Sequence, residues 1–213
     1  GENVSTGVRN TIVGGLAGDA LTTGGNNVVM GYNALGATTI GTSNVALGKD
    51  ALESNVEGSA AIAIGAHALE DQSPSSASNT YNIGIGHWAG KDITTGLNNT
   101  IIGGLAGDAL TTGSNNVVVG YLALSAEDAH GKNVAIGVQA LEDLDAGADA
   151  YNVAIGYQAG KDVTNGVENT LVGSLAGDAI TGGMESTFIG YDAGGLTTDS
   201  ERCTFIGAEA GNA

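Results

Sequence analysis

Residues 133–140 read Asn-Val-Ala-Ile-Gly-Val-Gln-Ala, and residues 152–159 read Asn-Val-Ala-Ile-Gly-Tyr-Gln-Ala. Related blocks occur twelve times in the 213-residue chain, usually 17 residues apart. In every block the fifth residue is Gly and the eighth is Ala, and nine of the twelve blocks begin with Asn. A short fixed period of this kind is typical of a solenoid, in which each repeat forms one rung that stacks on the next.

Each block predicts a strand followed by a tight turn. Its second to fourth residues, such as Val134-Ala135-Ile136, favour the pleat, while the flanking Asn and Gly accept turn conformations with positive φ. Another Gly, three residues before most of the Asn positions, indicates a second turn, so we expect two short strands per rung. Because each internal Gly costs a helix about 1 kcal/mol relative to Ala, helical rungs are excluded. The prediction is an all-β parallel β-solenoid (a β-roll or β-helix) of about twelve 17-residue rungs.

Stacking of these rungs about 4.8 Å apart gives a rod about 55 Å long, with equivalent residues aligned in columns. The apolar residue before each Gly is expected to form a buried column, and the Ala positions fit a narrow interior. The first residues of the blocks are expected to form a ladder in which side-chain amides join neighbouring rungs and satisfy turn backbone groups. The ladder residues are Asn27, Asn44, Asn99, Asn116, Asn133 and Asn152.

Both faces of the predicted strands are apolar. Side chains alternate along a strand, and the third residue of the block is often as large as its neighbours, as at Val29, Ile101 and Phe188. One face can fill the core of the coil, and the other then needs a second surface. We therefore expect an oligomer built from copies of the same chain.

The repeat continues through the chain, which predicts a single solenoid domain over residues 1–213. Near-copies of one segment divide it into cassettes at about 10–98, 99–168 and 169–213. The chain ends inside a block, and we expect it to be a fragment of a longer fibre. Two rungs carry insertions, at residues 72–81 and 144–151, which we expect to bulge from the stack and to carry recognition.

Composition narrows the classes of partner. Acidic residues outnumber Lys and Arg 23 to 6, for a net charge of −17, which argues against nucleic acid and anionic membranes. No apolar stretch approaches the roughly 20 residues that cross a bilayer. The single cysteine, Cys203, excludes an internal disulfide; it occupies an Asn position of the repeat and is expected to be a buried substitute.

The sequence also contains candidate contact residues. Trp88, the only Trp, follows His87, and with a Tyr of the first insertion it is a candidate for a sugar-stacking patch. The alternative is a ring that merely covers a turn. With polar and aromatic residues of the second insertion, the candidate receptor or glycan contacts are Tyr81, His87, Trp88, Asp145, Asp149 and Tyr151.

Other chemistry is weakly indicated. Residues 14–21 approach a calcium β-roll repeat, but the copies lie several rungs apart, so Asp19, Asp108 and Asp178 are interpreted as turn residues. Adjacent acids such as Glu70-Asp71 are poorly placed for glycoside hydrolysis. The three His residues lie in different rungs at unequal registers without zinc spacing. We expect no cofactor, no metal site and no enzymatic activity.

The blocks Asn-Val-Ala-Ile-Gly at 133–137 and 152–156, Gly-Tyr-Gln-Ala-Gly at 156–160 and Thr-Thr-Gly-Ser-Asn-Asn at 111–116 resemble the head repeats of YadA-type trimeric autotransporter adhesins and the related repeats of phage tail fibres. The resemblance covers essentially the whole chain. It implies a homotrimer of parallel β-coils that acts as a stiff shaft or head.

We therefore expect a structural and adhesion module of an extracellular, cell-surface or virion tail fibre. Its expected partners are further copies of itself and a cell-surface glycan. The alternatives are a fibre-borne glycan-degrading enzyme and an ice-binding solenoid; the latter is weak because the Thr residues form no regular outward array.

Overall fold

The computed structural model of the chain describes residues 3–212, which form an all-β parallel solenoid. Each rung contributes one three-residue strand, and the strands hydrogen-bond in chain order in a single sheet. Equivalent residues pair across neighbouring rungs, as Val134 pairs with Val117 and Val153. The predicted solenoid of about twelve rungs is confirmed. The strands are β1 Thr11–Val13, β2 Val28–Met30, β3 Val45–Leu47, β4 Ile62–Ile64, β5 Ile83–Ile85, β6 Thr100–Ile102, β7 Val117–Val119, β8 Val134–Ile136, β9 Val153–Ile155, β10 Thr170–Val172, β11 Thr187–Ile189 and β12 Thr204–Ile206.

The prediction of a buried column before each Gly is wrong. In β2 to β11 the middle residue of the strand is buried, whereas the first and third residues point outward. Ile155, which precedes Gly156, is 38% exposed, and Ala154 beside it is fully buried. A strand of three residues places only its middle side chain on the inner face, because side chains alternate. The apolar residues before the Gly positions therefore line the outside of the sheet.

The second strand expected in each rung is absent from residues 3–212 apart from isolated bridges. Left-handed backbone replaces it. In each rung the residue before the first block position, the second residue after the conserved Gly and the residue after the conserved Ala have positive φ. These conformations interrupt the pleat, yet hydrogen bonds to the next rung continue there, as from Gly107 N to the Ala123 carbonyl oxygen at 2.9 Å.

The Asn residues at the block starts form a ladder along the rod. Asn44 N donates to Asn27 Oδ1 at 2.9 Å, and Asn27 Nδ2 donates to the carbonyl oxygen of Gly41 at 3.0 Å. Most of the ladder amides thus bond to backbone groups, and a direct amide–amide bond joins Asn116 to Asn99 at 3.1 Å. The insertion that follows Asn133 shifts the chain there. The buried Nδ2 of Asn133 has no hydrogen-bond partner within residues 3–212. The ladder satisfies polar groups that would otherwise be buried without partners.

Cys203 occupies one position of this ladder. Its backbone N donates to Ser186 Oγ at 3.2 Å, so the hydrogen bond between rungs is kept. The side chain is half-buried rather than fully buried, and it forms no disulfide.

Complementary side-chain sizes fill the interior. The conserved Ala residues from Ala17 to Ala193 are fully buried. Where the middle strand residue is large, the residue after the conserved Ala is Gly, as for Phe188 and Gly194. Where the strand residue is Ala or Val, the partner is usually Leu, as for Ala46 and Leu52. At Gly84 and Ala154 the partner is again Gly, because Ile101 and Leu171 of the following rungs occupy the space beside it. A Cβ at Gly194 would overlap the Phe188 ring, so the exchange of volume is steric in origin.

The two insertions bulge less than their length predicts. Gln72 and Thr80 in the first insertion, and Leu144 and Ala150 in the second, are buried within the stack. Ser59 and Asn79 form a parallel bridge, so the first insertion rejoins the ladder of rungs before its last residue. The exposed parts are residues 75–77, Asn79 and Tyr81 in the first insertion, and Asp145, residues 147–149 and Tyr151 in the second. The described residues include no helix capable of crossing a bilayer.

Candidate functional site

The largest candidate surface is the outward strand face, formed by the first and third residues of β1 to β12. All of these residues are Val, Ile, Leu, Met or Thr, and none carries a charge. Exposure is 52% at Met30 and 69% at Ile206. Because each strand pairs in register with the next, these side chains form two columns along the rod. The third residues are apolar throughout, whereas the first residues are Val or Ile except at Thr11, Thr100, Thr170, Thr187 and Thr204.

Aromatic side chains follow the same edge of the sheet. Four Tyr residues each come directly after a conserved Gly, and each is about half exposed. They continue the apolar surface beyond the third strand residue while leaving a hydroxyl in contact with water. These residues are Tyr32, Tyr121, Tyr157 and Tyr191.

The residues His87 and Trp88 form part of an aromatic cluster. Their rings are stacked with centroids 5.2 Å apart, and the His67 ring of the preceding rung meets Trp88 edge-on at 6.4 Å. Lys91 Nζ lies 5.9 Å from the Trp88 ring centre, within reach of a cation–π interaction. Trp88 is 38% exposed. The cluster therefore presents only part of the Trp ring to solvent.

Tyr81 does not join this cluster. It precedes β5, whereas Trp88 follows the turn after β5, so the strand separates the two residues. The Tyr81 hydroxyl instead accepts a hydrogen bond from Asn79 Nδ2 at 2.9 Å. Within residues 3–212 no ring contact joins Tyr81 to Trp88, because one residue precedes strand β5 and the other follows it.

The second insertion forms a polar cluster of its own. Lys132 Nζ contacts Asp149 Oδ2 at 2.6 Å, donates to the Tyr151 hydroxyl at 2.7 Å and lies 4.7 Å from the Tyr151 ring centre. The hydrogen bond to Asp149 raises the pKa of Lys132, and the same contact lowers the pKa of Asp149. Asp145 is exposed on the same insertion. Asp149 and Tyr151 are thus joined through a lysine that sequence reasoning did not select.

The three His residues lie in different rungs at unequal registers, as expected, but two of them are neighbours in space. His67 and His87 occupy registers that differ by one residue, yet stacking brings their ring centres to 6.2 Å. His67 Nδ1 also lies 2.9 Å from Glu70 Oε2 and 3.8 Å from Asp50 Oδ2. Sequence spacing missed this group because Asp50 belongs to the preceding rung.

Glu127 is a buried acid without an assigned role in the sequence. Its Oε1 accepts from His130 N at 3.0 Å and its Oε2 from Ala146 N at 3.3 Å, which joins the turn to the second insertion. Burial raises the pKa of Glu127 despite these bonds. Burial likewise raises the pKa of Asp108 and Asp178, and these turn residues lie in separate rungs rather than in one site.

The surface of residues 3–212 has no pocket, so the candidate sites are open patches and columns. Comparisons of the chain with protein-family models, with curated proteins and with solved structures found no match.

Proposed function

We propose that the chain is a structural and adhesion module of an extracellular or virion fibre, and that it assembles as a homotrimer through the outward strand face. The observation that carries this proposal is the uncharged surface over all twelve strands, in which the third strand residue is always apolar. A face two side chains wide and about 55 Å long covers roughly 500 Å², within the range of about 300–600 Å² for the largest surface patch of a monomer, which is often functional.

The charge distribution supports the same function. The net charge of −17 is carried by turns and insertions, while the outward strand face has no charged residue. Copies can therefore approach along this face without placing acidic groups directly opposite each other. The regular stack of hydrogen-bonded rungs supplies the stiffness that a shaft or attachment head requires.

Charge placed on the outward strand face tests the proposal. Ile155 and Ile189 are each 38% exposed on this face, and Val56 is 39% exposed at a turn, which makes it a matched control. Ile155→Lys with Ile189→Lys is expected to convert a trimer into monomers in sedimentation equilibrium, because buried unpaired charges oppose association. Val56→Lys is expected to leave the trimer intact. A wild-type chain that sediments as a monomer of 20.9 kDa at all concentrations would contradict the assembly.

Attachment is tested at the aromatic cluster and the second insertion. Trp88→Ala and Tyr151→Ala are expected to lower binding to a responsive cell-surface glycan, because stacking on an aromatic ring contributes to sugar recognition. Val56→Ala serves as the control, since Val56 is exposed to the same degree as Trp88 but lies outside both clusters and outside the outward strand face. If an array of glycans shows no ligand for the wild-type trimer, the module is a shaft without a glycan contact.

A further inference from the structure

Three side chains from two rungs converge beside Trp88. Asp50 and His67 occupy the same register of consecutive rungs, so stacking places one directly above the other. Glu70 follows His67 by three residues and turns back towards it. The ligand atoms of Asp50, His67 and Glu70 all lie within 4.8 Å of one another.

The distances in this group suit a shared metal ion. His67 Nδ1 is 2.9 Å from Glu70 Oε2 and 3.8 Å from Asp50 Oδ2. Ligands about 2.0–2.2 Å from a tetrahedral zinc ion are separated from each other by about 3.3 Å, which lies between these two values. Small rotations of the His67 and Glu70 side chains would therefore bring three ligand atoms to one ion.

The environment of Asp50 supports the same reading. Its side chain is only 9% exposed, and Asn33 Nδ2 donates to its Oδ1 at 3.1 Å, which orients the carboxylate. The other oxygen faces His67 and contacts Lys49 Nζ at 2.7 Å. Lys49 is largely exposed and also lies 3.5 Å from His67 Nε2. A largely exposed ammonium group thus lies beside the buried carboxylate, and its side chain forms no part of the hydrogen bonds between rungs.

We propose that Asp50, His67 and Glu70 bind a divalent transition-metal ion of the zinc type, with one imidazole and two carboxylates as protein ligands and water completing the shell. The ion joins the third and fourth rungs beside the first insertion, which begins two residues after Glu70. Lys49 competes with the ion for Asp50. This site is independent of the proposed trimer, because none of its ligands lies on the outward strand face.

A second group, Glu127, Asp128 and His130, also has ligand atoms within 4.8 Å of one another. There both Glu127 oxygens already accept backbone N–H groups that hold the second insertion. Binding of an ion would have to break those bonds, so this group is a control rather than a second proposal.

The single Trp provides the readout, since the Trp88 ring centre is 6.4 Å from that of His67. We expect CoCl₂ to quench Trp88 fluorescence of the chelator-treated full chain with one-to-one saturation, and ZnCl₂ to displace the cobalt. Calorimetry with ZnCl₂ gives the affinity directly.

Two ligand variants preserve the backbone, because Asn33 occupies the equivalent left-handed position one rung before Asp50. His67→Asn and Asp50→Asn are each expected to weaken zinc binding about tenfold or more. Lys49→Ala, which copies Ala66 of the next rung, is expected to tighten it severalfold by removing the competing cation. His87→Ala and His130→Asn are expected to leave the affinity unchanged, and thermal unfolding without metal verifies that each variant folds. The site would be overturned if the folded His67→Asn variant bound zinc as tightly as the wild type. It would also be overturned if His87→Ala or His130→Asn lost zinc affinity.

Discussion

At the residue scale, the conserved Gly before each turn is required by both conformation and space. Gly120 has a φ of +140°, which L-residues rarely adopt, and a Cβ there would overlap the carbonyl oxygen of Gly137 in the next rung. The neighbouring backbone is fixed by hydrogen bonds between rungs and cannot move aside. This explains why the fifth position of the block never varies.

Gly120→Ala is therefore expected to lower the free energy of unfolding by about 3–5 kcal/mol, measured by urea denaturation. Gly104→Ala is the matched control, because the φ of Gly104 is not in the left-handed region and the atom nearest to an added Cβ, Tyr121 Cδ2, is 3.7 Å away. Equal effects of the two substitutions would show that the close approach between rungs is not the cause.

Asp178 is expected to oppose stability near neutral pH. Burial and the neighbouring Asp192 raise its pKa, and its buried Oδ1 has no hydrogen-bond partner within residues 3–212. Because the folded pKa lies above the unfolded value of about 4, the folded state binds the proton more tightly, and stability falls as pH rises through this window.

Asp178→Asn, which copies Asn212 at the same register, is expected to raise Tm by about 2 °C at pH 7. The difference should disappear near pH 3, where the carboxyl group is protonated in both states. A difference that is independent of pH would assign the effect to packing rather than to charge.

At the element scale, volume is exchanged between the strand and the turn of one rung. Phe188→Ala alone is expected to cost about 3–5 kcal/mol, and Gly194→Leu alone is expected to overpack the core. The double variant copies Ala46 and Leu52, and Leu52 already has a left-handed φ of 53°. Urea denaturation of the four proteins is expected to give a favourable coupling energy of at least about 2 kcal/mol. Additive losses would contradict the exchange.

The sequence pattern determines some of these elements better than others. Periodicity defined the rungs and their register, because Gly and Ala recur at fixed block positions. It did not determine which strand face is internal, since Val28, Val29 and Met30 are all apolar and alternation alone cannot choose between them. The second strand predicted for each rung does not form, because residues such as Leu52 and His67 adopt a left-handed backbone conformation. Leu and His are not residue types that predict this conformation.

The candidate sites were less predictable than the rungs, because their residues meet through folding rather than through spacing along the chain. The rings of His87 and Trp88 stack on each other, whereas Tyr81 lies at the other end of strand β5. The group around His67 depends on contacts between rungs, which spacing along the chain does not reveal. Lys132 was missed because its partners Asp149 and Tyr151 belong to the next rung.

At the scale of the whole molecule, each sequence block forms one rung, and the rungs stack in register. The outward strand face and the Asp50–His67–Glu70 group both depend on this stacking. Val56 and Thr164 are exposed at equivalent turn positions six rungs apart. Six spacings of about 4.8 Å place them about 29 Å apart along the rod. The intervening insertions add residues without adding a rung.

Double electron–electron resonance between nitroxides at Val56→Cys and Thr164→Cys measures this separation directly. Cys203→Ser removes the native thiol and copies Ser186 of the ladder, and an excess of unlabelled chain suppresses distances between copies. A single narrow distribution centred near 29 Å is the predicted result. A broad distribution would contradict the stacked solenoid. So would a distance well above 29 Å, which would mean that the inserted residues lengthen the rod.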